Sequence, residues 1–425
     1  RDDVLPTQSS LEAFNENHFS GVLSNGEIGL ASFHHEITEH STSASYPSGY
    51  SLVKARKSYF FIDDKVIAIG NAIDSKDGGA IGYPIVTTLE QSAQKAAVRF
   101  GDGTSNDESL SSGNNSFNAT APDNNDYVFT VSDDVWFHHG NTGYVVLTDE
   151  SIDIRYSEDG GIKSSSDVGN AAAHEDIAAG DIPDPFRIAI QHSDANEDVS
   201  SGANPDGASY VYAVVPYAVN ESDSNTTKKN AMNALMADFQ NTNKLQVVNT
   251  TDKQGIIYDD SGATIIQMVF HEVDAGYASH TFSFNGETYT VAVDKPSLVQ
   301  LVEQSGQWNI TVQDPTHHID VNALPAHTER FKIELKDEAN QVSVTFSQEL
   351  TTGTYYYETK SPEYLTLLDG KTAEQLGQKA VVSYDSGTAS STITFDLPDG
   401  YDDDYNGREE FYAGMPATVT IGSTP

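Results

Sequence analysis

Lys54–Ile73 reads KARKSYFFIDDKVIAIGNAI. Aromatic, aliphatic and β-branched residues fill both halves, and Asp63–Asp64 break the run in the middle. Apolar runs of this length, separated by a short polar pair, read as strand, turn, strand. The pattern spreads outward in both directions. Tyr127–Val131, Gly143–Leu147, Tyr210–Val215, Ala263–Phe270, His280–Phe284, Thr288–Val293, Trp308–Val312, Phe331–Leu335 and Gln341–Phe346 are all strand-like and bounded by Gly, Asn, Asp or Ser. So many short strands predict an all-β fold of antiparallel strands in stacked sheets.

One segment departs from this period. Lys228–Phe239 spaces Ala231, Leu235, Met236 and Phe239 as one helical face, with Asn225 or Thr226 available as a cap. It reads as a single amphipathic helix laid on a sheet. Two stretches, Gly101–Asp126 and Ser193–Gly207, are rich in Gly, Ser, Asn and Asp and read as long surface loops. The turn Asp294-Lys295-Pro296-Ser297 is the expected domain boundary. The architecture expected is a large antiparallel multi-sheet sandwich over residues 1–293, then a smaller β-sandwich over 294–425.

Composition removes several functions. Asp and Glu number 63 against 23 Lys and Arg, a net charge of -40. Nucleic acid and anionic membrane surfaces need a basic patch, so neither is an expected partner. No apolar run approaches the roughly 18 residues of a membrane helix, and the opening RDDVLPTQ lacks a signal-peptide pattern. Cysteine is absent, which excludes disulfides, thiolate catalysis and Cys-ligated metals. No GxSxG elbow, P-loop or dinucleotide fingerprint occurs. Sequons at Asn114, Asn118, Asn220, Asn225, Asn249 and Asn309 are glycosylation candidates and, with the acidity, point to a secreted, extracellular protein.

Several strings, taken in order, resemble the β-rich half of polysaccharide lyase family 8, which includes hyaluronate, chondroitin AC, xanthan and mannuronate lyases. Lys54–Ile73 is similar to that family's KSWFF-DD-x-I-x-x-LG-x-x-I strand pair, with Tyr59 where Trp is usual. SGVLSNGEIGLA (Ser20–Ala31), TTLEQ (Thr87–Gln91) and WFHHGNTGYVV (Trp136–Val146) resemble its Gly-rich hairpin, its TT-x-EQ segment and its Trp–Gly–Tyr strand. GANPDGASYVYAVVP (Gly202–Pro216), KLQVV (Lys244–Val248) and VQDPTHH (Val312–His318) continue the series. The resemblance implies a supersandwich and β-elimination at a uronic acid. A base removes the C5 proton, donors neutralise the carboxylate and stabilise the enolate-like anion, and a tyrosine can return the proton to the leaving oxygen.

In that family a helical toroid precedes the sheets and carries the catalytic Asn, His, Tyr and Arg. These 425 residues hold no such domain and no Glu-x-x-Asn junction segment. LPTQ (Leu5–Gln8) resembles the end of the family's PGTT loop, already inside the sheet domain, so the resemblance implies that the chain begins after the first strands of its own sheet. The expected partners are therefore an N-terminal helical half of the same enzyme, covering an otherwise open sheet edge, and an acidic polysaccharide. No catalytic residue is expected in this chain. Thr7 and Gln8 in that loop, His138 or His139 after Trp136, and His192 before the second long loop are the expected substrate contacts.

The remaining candidates each have a plain reading. His34, Glu36, Thr38 and His40 alternate on one strand face and could hold a metal, but a polar outer sheet face is the expected role. Asp402, Asp404 and Asn406 in DDDYNGREE start like a calcium loop, though position twelve would be Ala413. An acidic turn is the simpler reading there; no cofactor is required and a structural calcium is the one candidate. Lys54 and Arg56 share a strand face and Lys57 takes the other; contact to substrate carboxylates competes with ion pairing to Asp63, Asp64 and the acid excess. Tyr355–Tyr357 could stack on sugar or form a strand with one buried ring. The alternative to a lyase chain is a non-catalytic carbohydrate-binding or adhesion module.

Overall fold

The structure is a computed structural model that describes residues 19–36, 53–75, 85–93, 98–102, 107–109, 126–131, 134–147, 152–157, 185–192, 207–260, 262–316, 341–357, 378–397 and 416–423. Every strand pairing among them is antiparallel, and one α-helix of length interrupts the strands. This is the all-β fold with a single helix that the sequence predicts. Contacts divide the chain into two compact units, Arg1–Asp63, Ile69–Asn71 and Asn241–Pro425 in the first, Asp64–Ala68 and Ala72–Gln240 in the second.

The first unit opens with a meander of β1 (Ser20–Ser24), β2 (Gly29–Glu36) and β3 (Val53–Ile62). The β1–β2 turn is fixed by Asn25, whose Oδ1 accepts the N–H groups of Glu27 and Ile28 at 3.0 Å each. Gly26 supplies the positive φ of 97° that the turn requires. Alternation then sorts the side chains. Leu23, Leu30 and Phe60 point to a buried face, while Val22 and Phe61 lie exposed on the other.

Two further sheets complete this unit. One is six-stranded and contains, in spatial order, β14 (Leu245–Asn249), β15 (Lys253–Asp260), β16 (Ala263–Phe270), β19 (Ser297–Gln304), β20 (Gln307–Gln313) and β25 (Ala417–Gly422). The other, also six-stranded, runs β17 (Ala278–Phe284), β18 (Glu287–Val293), β21 (Gln341–Phe346), β24 (Ser390–Asp396), β23 (Lys379–Asp385) and β22 (Gly353–Tyr356). Their inner residues make one core that includes Ile266, Phe270, Phe282, Phe284, Val291, Trp308, Ile310, Phe346 and Phe395. Trp308 meets Phe346 edge-on with centroids 4.6 Å apart. Each such buried ring contributes about 1.5–3 kcal/mol. The Asp294–Ser297 turn lies within this unit, and its Asp294 carboxylate accepts the Ser343 N–H at 2.8 Å.

In the second unit β4 (Lys65–Ser75), β13 (Ala208–Val215), β10 (Thr142–Val146), β9 (Val135–His139), β6 (Val98–Gly101) and β7 (Asp107–Ser109) lie side by side in that order. A four-stranded sheet holds β5 (Val86–Ala93), β12 (Pro185–Gln191), β11 (Ile152–Ser157) and β8 (Asp126–Val131). The helix α1 spans Asn225–Gln240 and buries Met232, Met236 and Phe239. It starts one step earlier than the sequence predicts, because Ser224 is its cap. Ser224 Oγ accepts the Thr227 N–H at 3.2 Å and meets Thr227 Oγ1 at 2.9 Å. Gly143 in β10 lets the helix close in, since a Cβ there would sit 2.7 Å from Ala218 Cβ and 2.9 Å from Met232 Sδ. Asn233 receives the Trp136 indole N–H at 2.7 Å and pins the helix to β9. Phe331–Leu335 lies outside the described residues, as do the greater parts of both long loops.

Candidate functional site

Three strands of the second unit converge on Glu90. It sits on β5, where alternation turns it inward beside His139 at the end of β9 and Tyr144 on β10. His139 Nδ1 lies 2.8 Å from Glu90 Oε1 and the Ser92 hydroxyl donates to the same oxygen at 2.8 Å. A carboxylate only accepts, so Nδ1 is the donor, and Nε2 is buried without a hydrogen-bond partner. Phe186 closes over the imidazole edge-on at 4.8 Å. The Tyr144 phenol has its pKa raised, first by burial, then by the charge and hydrogen bond of Glu90. A phenol held neutral in this way donates a hydrogen bond and is no base near neutrality.

His138 points the opposite way from His139, as neighbours on a strand must. It is 2% exposed and stacks on Trp136 at 6.1 Å. Burial, then the cations Lys228 and Arg99, lowers its pKa to about 4, so it is a neutral plate in the interior. His192 is also buried; its Nε2 meets Thr87 Oγ1 at 2.8 Å and its ring stacks on Tyr210. The structure thus gives His138, His139 and His192 interior bonds and stacking contacts.

The first unit holds a second buried polar chain. His34 Nε2 lies 3.0 Å from His271 Nδ1, and His271 Nε2 lies 3.1 Å from Gln254 Oε1. Gln254 Nε2 donates to the Arg56 carbonyl at 3.2 Å, which fixes the amide orientation. Its Oε1 must therefore accept, so His271 carries its proton on Nε2 and His34 donates from its own Nε2. Ser58 Oγ donates to Gln254 Oε1 as well, and Ser32 Oγ meets Ser58 Oγ at 2.9 Å. Phe19 stacks on His34 with centroids 4.4 Å apart and planes 8° apart. Burial lowers the His34 pKa to about 3, and burial holds His271 well below its usual value.

This corrects the reading of His34 as part of a polar outer face. Leu30 and Phe60 share its inward face, and Phe19 and His271 pack against its ring; the side chain of Glu36, and Thr38 and His40, lie outside the described residues. Arg56, on the same face, pairs with Glu272 and donates to the Thr251 carbonyl. Lys65 pairs with Asp64. Among Tyr355–Tyr357, Tyr357 is the buried ring, Tyr355 donates to the Thr351 carbonyl at 2.8 Å, and Tyr356 is exposed.

Thr7, Gln8, Asp402, Asp404, Asn406, Asn114 and Asn118 lie outside the described residues. Among the described residues no group of three His, Cys, Asp or Glu is arranged to hold a metal ion, and no helix is long and apolar enough to cross a membrane. Asn220 and Asn225 are exposed. Asn249 is tied inward, donating to the Gly70 carbonyl at 3.0 Å and accepting from Asn71 at 3.1 Å. Glu90, Tyr144, Gln254 and His271 were not singled out by sequence. Glu90 lies inside the TTLEQ string and Tyr144 inside WFHHGNTGYVV; Gln254 and His271 lie in none of the quoted strings.

Comparison with known proteins places this geometry in context. The family model described as polysaccharide lyase family 8, super-sandwich domain, matches residues 2–230. A Paenibacillus xanthan lyase structure aligns over 97% of this chain and 29% of its own, with a TM-score of 0.54 and 14% identity. A chondroitinase AC lyase solved with oligosaccharides aligns over 95% of this chain and 40% of its own, with a TM-score of 0.51 and 16% identity. The Streptomyces coelicolor A3 chondroitin AC lyase with chondroitin sulphate gives 96%, 36%, 0.50 and 13%. The chain thus spans less than half the length of each solved lyase. No curated protein sequence matches it.

Proposed function

Because the chain belongs to polysaccharide lyase family 8, we propose that it is the sheet-forming part of a secreted lyase that cleaves a uronate-containing polysaccharide by β-elimination. The observation that carries this reading is one of coverage. Nearly all of this chain aligns with solved lyases, yet it accounts for only 29% and 40% of the first two. The catalytic groups are assigned to the helical half that such an enzyme places before its sheets.

The reaction has a definite demand. The C5–H bond breaks, its electrons form the C4–C5 double bond, and the C4–O bond breaks with a proton delivered to the departing oxygen. The base must be exposed to the polymer and the carboxylate must be neutralised. Tyr144, His34, His138 and His271 meet neither condition, since all are buried and held in their neutral forms. The chain's own contribution is a rigid wall. The Glu90–His139 pair and the His34–His271–Gln254 chain lock strands on which the polymer-facing loops are mounted.

Poly-mannuronate, hyaluronan and chondroitin are the substrate classes, with Thr7 and Gln8 assigned to the wall facing the polymer. Residues 294–425 are assigned as the smaller C-terminal sandwich, Asp402, Asp404 and Asn406 as a structural calcium loop, and the exposed sequons as glycan carriers. The test is to give the enzyme, with its helical half present, each polymer in turn and follow absorbance of the unsaturated uronate. Product from one uronate polymer supports the reading; no product from any of them favours a non-catalytic carbohydrate-binding module.

A further inference from the structure

The two faces of the β1–β2–β3 meander differ in kind. One carries Leu30, His34, Ser58 and Phe60 into the interior. The other carries Val22, Phe33, His35, Lys57, Tyr59 and Phe61 outward, with Val22 63% and Phe61 43% exposed and the other four half-buried. Phe33 and Tyr59 lie nearly parallel, their planes 16° apart and centroids 6.3 Å apart. Phe61 stands opposite Gly29 of β2, which has no side chain to lay against the ring.

Lys57 stands opposite Phe33 in the same row. Burial lowers its pKa, and no carboxylate is among the causes. Among the described residues no anion pairs with its ammonium. His35, on the same face, acts with it: burial and then Lys57 itself depress the His35 pKa. In a chain with 63 acidic residues against 23 basic ones, a half-buried lysine without a carboxylate is an exception. A desolvated charge is costly unless an anion completes it.

We propose that this face binds a uronate residue of an acidic polysaccharide, the Lys57 ammonium taking the carboxylate and the exposed Phe61 ring stacking on the apolar face of a nearby sugar. Lys57 and Phe61 share one face of β3 and stand about 13 Å apart along the strand, the span of a short oligosaccharide. A neutral glycan would stack but leave the cation uncompensated, and a phosphate-rich polymer would meet the repulsion of the whole chain with one cation to offset it. The choice of a uronate rests on the lyase reading; the need for an anion beside stacked rings does not.

The experiment is affinity electrophoresis of the purified protein in native gels containing alginate, hyaluronan or chondroitin sulfate, with hydroxyethyl cellulose as the neutral control. Wild type is retarded by at least one acidic polymer and not by the neutral one. Lys57→Met, which removes the charge and keeps the stem, weakens that retardation tenfold or more without lowering the thermal midpoint, and Lys57→Arg retains it. Phe61→Ser, at an exposed ring, weakens it severalfold. Equal retardation of Lys57→Met and wild type overturns the proposal, as does wild type that binds no acidic polymer. Self-association of wild type that Lys57→Met abolishes, without glycan binding, overturns it in favour of a second copy on this face. Failure of the lyase reading shows separately, as absence of unsaturated product while Lys57-dependent binding persists.

Discussion

His34 and His271 meet nitrogen to nitrogen at 3.0 Å, and both imidazoles are neutral. Direction along the chain is fixed from one end, because Gln254 Oε1 can only accept. Protonating either ring would place a cation in the interior with Arg56 close by. The contact joins β2 to the end of β16, residues far apart in sequence, and so closes one of the longest loops in the first unit.

Stability should fall on acidification. His34 stays neutral in the fold down to about pH 3, while in the unfolded chain it takes up a proton near its ordinary value of 6.5. The unfolded state therefore binds more protons between those limits, and stability rises with pH across that window. His138 acts in the same direction above about pH 4. Each such group contributes up to about 1.4 kcal/mol per pH unit within its window. Denaturant unfolding at several pH values should show this slope, and His34→Gln should make it shallower between pH 6.5 and 4; an unchanged slope contradicts the assignment.

Asn233→Ala should cost about 1–3 kcal/mol, because it leaves the fully buried Trp136 N–H without its acceptor. Trp136 and Trp308 are the chain's two tryptophans. Intrinsic fluorescence during urea unfolding therefore reads the change directly, with an earlier transition expected.

Gly143→Ala should destabilise by about 1–3 kcal/mol through overpacking, since the new methyl meets Ala218 and Met232 below 3 Å. The thermal midpoint is the measurement, with Gly140→Ala as a control whose Cβ meets nothing within 4 Å but is strained by a φ of 57°. Both lose stability, and only the Gly143 variant should loosen helix α1 in hydrogen exchange.

The sequons should divide by geometry. Asn220 holds its own sequon serine, whose hydroxyl donates to Asn220 Oδ1 at 2.9 Å on an exposed turn. Asn249 uses its amide nitrogen on the Gly70 carbonyl. Secreted from a eukaryotic host, the protein should carry glycan at Asn220 and none at Asn249 on peptide mapping. Asn249→Ala should cost about 1–3 kcal/mol and Asn220→Gln almost nothing.

What the sequence made legible followed local periodicity. Alternation placed the β3–β4 hairpin, and the helical spacing of Met236 and Phe239 placed α1 within a turn. The cap was ambiguous because Ser224, Asn225, Thr226 and Thr227 are all cap-forming, and only backbone geometry chooses Ser224. The face of His34 was misjudged for a related reason: a polar residue on an alternating strand reads as outward until its partner is known, and His271 lies 237 positions away. Glu90 and Tyr144 were invisible as a pair because strands β5 and β10 are brought together by topology rather than by any local pattern.

The most direct test of the account is lyase activity of this chain with and without a helical half. The purified chain is incubated with poly-mannuronate, hyaluronan and chondroitin, alone and after reconstitution with the helical portion, and the unsaturated uronate is followed by absorbance. The account predicts no product from the chain alone and product once the helical portion is present. Depolymerisation of any of the three by the chain alone would contradict it.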